Sequence, residues 1–74
     1  MTTASKIKTT ANTKGYTTAT VIPSQFEEVE YLAVNMGNFR TAFFLMNNET
    51  FDYSYSHTYD ARIGKTTKRI PKGF

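Results

Sequence analysis

The chain contains no cysteine and a single histidine, which restricts the ways in which its 74 residues can be held in a fold. A disulfide framework and a thiolate metal site are both excluded, and His57 alone cannot build a zinc site. A domain of this length buries a modest core, so apolar packing, backbone pairing or a partner must supply its stability. We therefore expect one small domain without metal or cofactor.

The residues available for packing are aromatic and β-branched. Six Phe and five Tyr make up 15% of the chain, and such rings fit the half-buried surface of a sheet. The best apolar run, 42–46, is strand-sized and far shorter than the roughly 20 residues of a membrane span. No apolar run follows Lys6 and Lys8, so the N-terminus is not a secretory signal. With no cysteine, which fits a reducing compartment, we expect a cytoplasmic protein without membrane contact.

Charge divides the chain into three parts. Residues 1–22 carry three cations and no acid, residues 23–60 carry six acids and one cation, and residues 61–74 carry five cations and no acid. The net charges of the parts are +3, −5 and +5, although the whole chain carries only +3. The layout predicts a flexible Thr/Lys-rich arm over 1–14, a single folded domain over 15–60 and a basic C-terminal tail over 61–74.

Three segments favour β-strands. The β-branched run 16–22 is stopped by Pro23, as in an edge strand. Residues 39–46 are apolar on both faces and too short for a typical helix, which indicates a central strand. Residues 51–58 alternate aromatic and polar side chains after an Asn-rich turn, which predicts a hairpin with the central strand.

Residues 24–36 carry the strongest local signal for a helix. Ser24 and Glu27 form a capping box, and the apolar side chains that follow have helical spacing. Gly37 stands where a left-handed C-cap belongs. The competing interpretation makes 29–35 a strand that turns around Gly37.

The helix interpretation predicts an α+β fold of the order β-α-β-β. It consists of a three-stranded antiparallel sheet, one covering helix with an acidic outer surface, and flexible basic termini. If the capping box is misleading, the alternative is an all-β meander.

His57 is the only side chain of a type that titrates near neutral pH, which makes it the first residue to test for catalysis. Asp60 lies three residues away, and Ser54 and Ser56 are close in sequence. In a regular strand the two serines point away from the face of His57, so no nucleophile, base and acid meet locally. A metal pair of His57 and Asp60 lacks a third ligand. We expect no enzymatic activity.

The face of Phe51, Tyr53 and Tyr55 has two interpretations. It is the core face that receives the helix, or it is an open platform on which nucleic-acid bases stack. So short a chain can hardly spare three large rings, which favours the core. On either interpretation, the hydroxyl groups of Tyr53 and Tyr55 are expected to reach the sheet rim, where a partner would contact them.

The basic tail is the strongest candidate for partner binding. Residues 62–74 hold five cations interspersed with Ile63, Ile70 and Phe74. Such a segment neutralises phosphates, or lies on an acidic protein groove with apolar anchors, or serves only as a solubilising tail. The candidate partner-binding residues are Arg40, Tyr53, Tyr55, Arg62, Lys65, Lys68, Arg69, Ile70, Lys72 and Phe74.

These features predict a non-enzymatic binding module. The small size and the richness in Asn, Thr, Tyr and Phe resemble the accessory proteins of viruses and mobile elements, which implies the cytoplasm of a host cell. The leading hypothesis is a module that docks on and modulates a larger protein or nucleoprotein machine, for example as an inhibitor. The alternatives are a nucleic-acid-binding protein that uses its basic termini and a structural subunit of a virion or similar assembly. Self-association through the acidic helix and the basic tail is a further expectation.

Overall fold

The fold is one antiparallel sheet of five strands with one helix against it. The structure is a computed structural model and describes residues 2–23 and 29–74. The elements in chain order are α1 (Ala4–Thr13), β1 (Thr17–Val21), β2 (Tyr31–Gly37), β3 (Arg40–Met46), β4 (Tyr53–Asp60) and β5 (Lys65–Thr67). Each strand pairs with the next in the chain, so the sheet order is β1-β2-β3-β4-β5. The sheet is therefore a meander, built from hairpins alone.

Helix α1 has clear start and stop signals. The Thr3 hydroxyl accepts a backbone N–H of the first turn, as an N-cap residue does. At the other end Gly15 has φ +75°, and its N–H donates to the Asn12 carbonyl. The Tyr16 N–H donates to the Ala11 carbonyl at 2.8 Å, which completes a Schellman motif. These bonds satisfy backbone groups at both ends of the helix.

One face of the sheet carries the hydrophobic core. The buried side chains are Ile7, Ala11, Leu32, Val34, Ala42, Phe44 and Tyr53. The helix contributes Ile7 and Ala11, which lie one turn apart on the same side. Phe44, on the central strand, is 3% exposed and meets the ring of Tyr55 edge-on at 5.6 Å. Burying one such ring contributes about 1.5–3 kcal/mol.

Helix α1 carries the chain across this core face. Before the helix, Thr2 exchanges two backbone hydrogen bonds of 2.8 and 2.7 Å with Tyr53 at the start of β4. After the helix, Tyr16 leads into β1 at the edge of the sheet. Ten residues of helix span about 15 Å, which matches three strand spacings of about 4.8 Å. The helix length thus suits the crossing from β4 to β1.

The C-terminal residues lie on the same core face. After β5 pairs with β4, the chain returns so that the Phe74 ring lies 5.6 Å from the Phe44 ring. The Tyr55 hydroxyl donates to the Arg69 carbonyl at 2.9 Å, and its oxygen lies 2.6 Å from Thr58 Oγ1. The segment predicted as a basic tail therefore contains a strand and closes part of the core.

The predicted β-α-β-β fold with a three-stranded sheet is wrong. The sheet has five strands, and the helix lies at Ala4–Thr13, where the sequence predicts a flexible arm. In place of the predicted helix over 24–36, the chain forms strand β2 from Tyr31 onward, as in the competing interpretation. Pairing with strands on both sides outweighs the local helix signal. The capping-box residues Ser24 and Glu27 lie outside the described residues.

Other predictions for the strands are confirmed. The strands expected over 16–22, 39–46 and 51–58 correspond to β1, β3 and β4, and β3 and β4 form the expected hairpin. Strand β3 is central and β1 is an edge. The α+β class holds in the coarse sense of one sheet and one helix, and the division of the chain into domains stays a prediction.

We expect Phe74→Ala to lower the free energy of unfolding by about 1–3 kcal/mol, because it removes a half-buried ring from Phe44 and leaves a gap in the core. The control is Phe51→Ala, since the Phe51 ring is 69% exposed and its loss should cost about 0.5 kcal/mol or less. Urea unfolding followed by circular dichroism measures both. Unchanged stability in Phe74→Ala would show that the C-terminal segment adds nothing to the core.

Candidate binding surfaces

The face of the sheet opposite α1 has no cover within residues 2–23 and 29–74. Side chains alternate along each strand, and the register brings the outward ones side by side. This surface, termed the open face, consists of Thr17, Ala19, Val21, Tyr31, Ala33, Asn35, Thr41, Phe43, Leu45, Ser54, His57, Tyr59 and Thr66. Helix α1 and the C-terminal segment both pack on the other side, against the core.

Three rings form a cluster at the centre of the open face. Phe43 and His57 stack with their ring centroids 4.8 Å apart. Tyr31 meets both rings edge-on, at 6.0 and 5.9 Å. Leu45 and Tyr59 extend the cluster and are 37% and 41% exposed. Aromatic pairs in these geometries stabilise one another, so the cluster is preorganised.

A β-bulge in β4 places His57 on the open face. Tyr55 pairs with Phe44 and His57 pairs with Phe43, so Ser56 is an extra residue in β4. The extra residue reverses the alternation, and Tyr55 faces the core while His57 faces outward. Regular alternation predicts that these two side chains share a face, and that prediction is wrong.

The bulge also brings a serine to the histidine. Ser56 Oγ lies 2.8 Å from His57 Nδ1, although the sequence predicts that the two cannot meet. A catalytic triad needs an acid as well, and Asp60 Oδ1 instead accepts the Arg62 N–H at 2.9 Å. In the part of the chain that the structure describes, no group of three or more His, Asp or Glu side chains could hold a metal ion.

The open face contains no Lys, Arg, Asp or Glu among the described residues. The charged residues of the strands are Arg40, Asp60 and Lys65. They lie on the core side, because side chains alternate along a strand and these three are in phase with the core-facing ones. Nucleic-acid binding depends on cations that neutralise phosphates. A neutral, aromatic surface therefore suits an apolar protein surface better than a phosphate backbone.

A second surface lies on the core side, where α1 ends and the C-terminal segment returns. It is a groove of about 810 Å³ lined by four cations, Lys14, Arg40, Arg69 and Lys72, and by one acid, Asp60. We term it the basic groove. Arginine forks and lysine ammonium groups bind carboxylates and phosphates, so the groove suits an anion.

The predicted partner-binding residues fall into three groups. The first packs in or on the core: Tyr53, Tyr55 and Phe74. The second lines the basic groove: Arg40, Arg69, Ile70 and Lys72. The third is exposed along β5 and its flanks: Arg62, Lys65 and Lys68. The core interpretation is thus the one that the structure supports for the two tyrosines, whereas Phe51, the third ring of the predicted core face, is 69% exposed. The cations lie in the groove or along β5 and its flanks.

The predicted contact between an acidic helix and a basic tail lacks its helix. Glu30 directly precedes strand β2, and its Oε2 accepts a hydrogen bond from the Tyr53 hydroxyl at 3.0 Å. Glu27 and Glu28 lie outside the described residues. Self-association stays a prediction.

Sequence reasoning missed the open face. The sequence feature that indicates it is the run 42–46, in which the side chains of both faces are apolar. Such a run is typical of a strand that is buried on both faces of its sheet. In the described structure that strand is covered on one face, so Phe43 and Leu45 remain accessible.

Comparisons of this chain with protein-family models, curated proteins and solved structures find no match. Among the described residues no helix is long and apolar enough to span a membrane.

Burial, followed by the hydrogen bond to Glu30 and its charge, raises the pKa of Tyr53 above the usual tyrosine value of 10.0. In the unfolded chain the hydroxyl loses its proton at lower pH than in the fold. The stability from this group is therefore complete below about pH 10 and is lost as the pH rises further.

We expect Tyr53→Phe to lower the free energy of unfolding by about 1 kcal/mol at neutral pH, because the hydrogen bond to Glu30 is lost. Its stability should also fall less steeply than that of the wild type above pH 10. Urea unfolding between pH 7 and 11 measures both effects, with Tyr59→Phe on the open face as control. An alkaline slope in Tyr53→Phe equal to the wild-type slope would contradict the expectation.

Proposed function

We propose that this protein is a non-enzymatic binding module that docks on a larger protein through its open face. The observation that carries the proposal is the aromatic cluster of Phe43, His57 and Tyr31 on a sheet face without cover in the described residues. Contiguous exposed apolar patches on small proteins often mark interaction sites.

The size of the open face is sufficient for the centre of an interface. Five strands about 4.8 Å apart, with about six residues each at about 3.3 Å per residue, give a face of roughly 500 Å². A standard interface buries about 800 Å² on each partner. The open face therefore supplies the apolar centre, and neighbouring turns supply a polar rim.

The chemistry of the open face defines the partner surface. It is an apolar or aromatic patch without a charged centre, because a charge buried against Phe43 and Leu45 would lose its hydration without finding a counter-ion. Phe43, Tyr31 and Tyr59 are the expected hot spots, since aromatic side chains dominate interface energetics. The proposal is non-enzymatic because the pair of Ser56 and His57 lacks the acid of a triad: Asp60, on the same strand, lies on the core side and accepts the Arg62 N–H.

We expect the variant Leu45→Lys/Tyr59→Lys to lose partner binding, because it places two cations beside the aromatic cluster. The variant Thr50→Lys/Ala61→Lys is the matched control, since it adds the same charge in two turns outside the open face. Wild type and both variants serve as baits in an extract of the native host, with quantitative mass spectrometry as the readout.

The proposal is supported by proteins that bind the wild type and the control at least tenfold better than the variant Leu45→Lys/Tyr59→Lys. Calorimetry with the purified partner must then give the same ranking. Equal retention of the same proteins by all three baits would overturn it. The alternative of a structural subunit stays a prediction. It requires self-association, which sedimentation equilibrium of the wild type detects.

We infer a second candidate function, binding of a polyanion such as nucleic acid, from the basic groove. The observation that favours it is the convergence of four cations around one acid. Such binding should weaken steeply as salt rises from 50 to 200 mM.

For this second function we expect Arg40→Ser/Arg69→Ser to weaken binding of a labelled single-stranded or duplex 20-mer at least tenfold. Lys65→Ser/Lys68→Ser removes the same charge outside the groove and should weaken it less than threefold. Fluorescence anisotropy at both salt concentrations measures this. Equal losses in the two variants would assign the effect to net charge, and no binding at 50 mM salt would exclude the function.

A further inference from the structure

Strand β1 is an edge strand without the features that usually protect an edge. It pairs with β2 alone in the described sheet, through a register free of bulges. Its five residues, Thr17–Val21, contain no charge and no proline. Natural proteins protect exposed edges with charges, prolines, bulges or very short strands. The opposite edge, β5, has three residues and begins with Lys65.

A groove runs beside this unprotected edge. It has a volume of about 690 Å³ and is lined by residues of α1, by Tyr16 and by Thr18 of β1. Thr18 pairs with Val34 and so points to the core side, toward the helix. Most of the lining is polar, with hydroxyl and amide groups from residues such as Thr9 and Asn12, and its one charged side chain is Lys8.

We propose that β1 and this groove bind an extended acidic segment of a partner protein. The segment adds a sixth strand to the sheet through main-chain hydrogen bonds to β1. Because side chains alternate along a strand, every second side chain of the segment enters the groove. There an Asp or Glu pairs with Lys8, while hydroxyl groups such as that of Thr18 hydrogen-bond its polar neighbours.

Charge selects this occupant over a second copy of the chain. Among the described residues, the lining of the groove beside β1 includes the cation Lys8 and no acid. Two copies joined edge to edge through β1 would bring two lysine-lined grooves side by side, whereas an acidic segment is attracted to Lys8. A nucleic acid has no alternating N–H and C=O groups with which to extend the sheet.

The site is separate from the open face and does not depend on the function proposed for that face. A strand added to β1 would leave Phe43 and His57 uncovered. Its outward side chains would lie beside Ala19 and Val21 and would widen the neutral surface.

The test uses the full chain and a fluorescein-labelled peptide of four Val-Glu repeats, capped at both ends. In a strand this peptide presents all its carboxylates on one face. The comparison peptides replace Glu by Lys, or carry N-methyl groups on alternate residues, which block main-chain pairing. Fluorescence anisotropy at 50 mM salt measures binding, and circular dichroism confirms that each variant is folded.

We expect the Val-Glu peptide to bind at least tenfold more tightly than the Val-Lys peptide, and N-methylation on the pairing side to abolish binding. Lys8→Glu should weaken Val-Glu binding at least tenfold and improve Val-Lys binding. Lys65→Glu, the same change at the opposite edge, should alter either affinity less than threefold. This reversal distinguishes a local ion pair from general attraction to a basic protein.

Three results would overturn the proposal. The first is equal binding of the N-methylated and unmodified peptides, which would exclude strand addition. The second is an equal effect of Lys65→Glu and Lys8→Glu, which would assign binding to net charge. The third is a dimer, detected by sedimentation equilibrium, that the Val-Glu peptide dissociates, because β1 would then belong to a second copy.

Discussion

Packing of one short helix against one face of the sheet determines the rest of the structure. Helix α1 contributes two buried side chains, Ile7 and Ala11, and the small Ala11 allows the helix to approach the strands closely. The Thr2 bridge to Tyr53 and the turn at Gly15 fix the direction in which the helix crosses. A sheet has two faces, and among the described residues helix α1 and the C-terminal segment both cover the same one. The aromatic cluster on the other face therefore remains without cover.

The parts of the fold that follow from local patterns could be predicted from the sequence. Strands β1, β3 and β4 carry their own alternation or apolar runs, with turn residues between them. Strand β2 does not follow from a local pattern, because the capping box and the spacing of the apolar residues both favour a helix in this segment. Its strand conformation depends on pairing with β1 on one side and β3 on the other, which no local window contains.

Helix α1 was missed for a different reason. Its segment is rich in Thr and Lys and has only three apolar positions, Ala4, Ile7 and Ala11. Those positions do lie on one side of a helix, and Thr3 and Gly15 are the residue types expected before and after it. The signal was present but weak, because a helix that lies on a flat sheet needs only a narrow apolar stripe.

The candidate site depended on a single extra residue that the sequence does not mark. The alternation of residues 51–58 is regular in the sequence, yet the bulge at Ser56 divides the strand into two halves of opposite orientation. A shift of one residue moves each later side chain to the other face. Thus Tyr55 belongs to the core and His57 to the open face, although both belong to one unbroken pattern.

Charge that is segregated along the chain is also segregated on the folded surface, but in a different arrangement. The two basic ends meet, since Lys14 and Lys72 line the same groove, and a side chain added at Gly73 would lie 2.7 Å from Lys14 Cε. The open face remains neutral. Salt screens the attraction of a partner to the basic groove but has little effect on apolar contacts. The salt dependence of a complex therefore distinguishes a partner on the open face from one held by cations, either in the basic groove or beside β1 at Lys8, before any residue is changed.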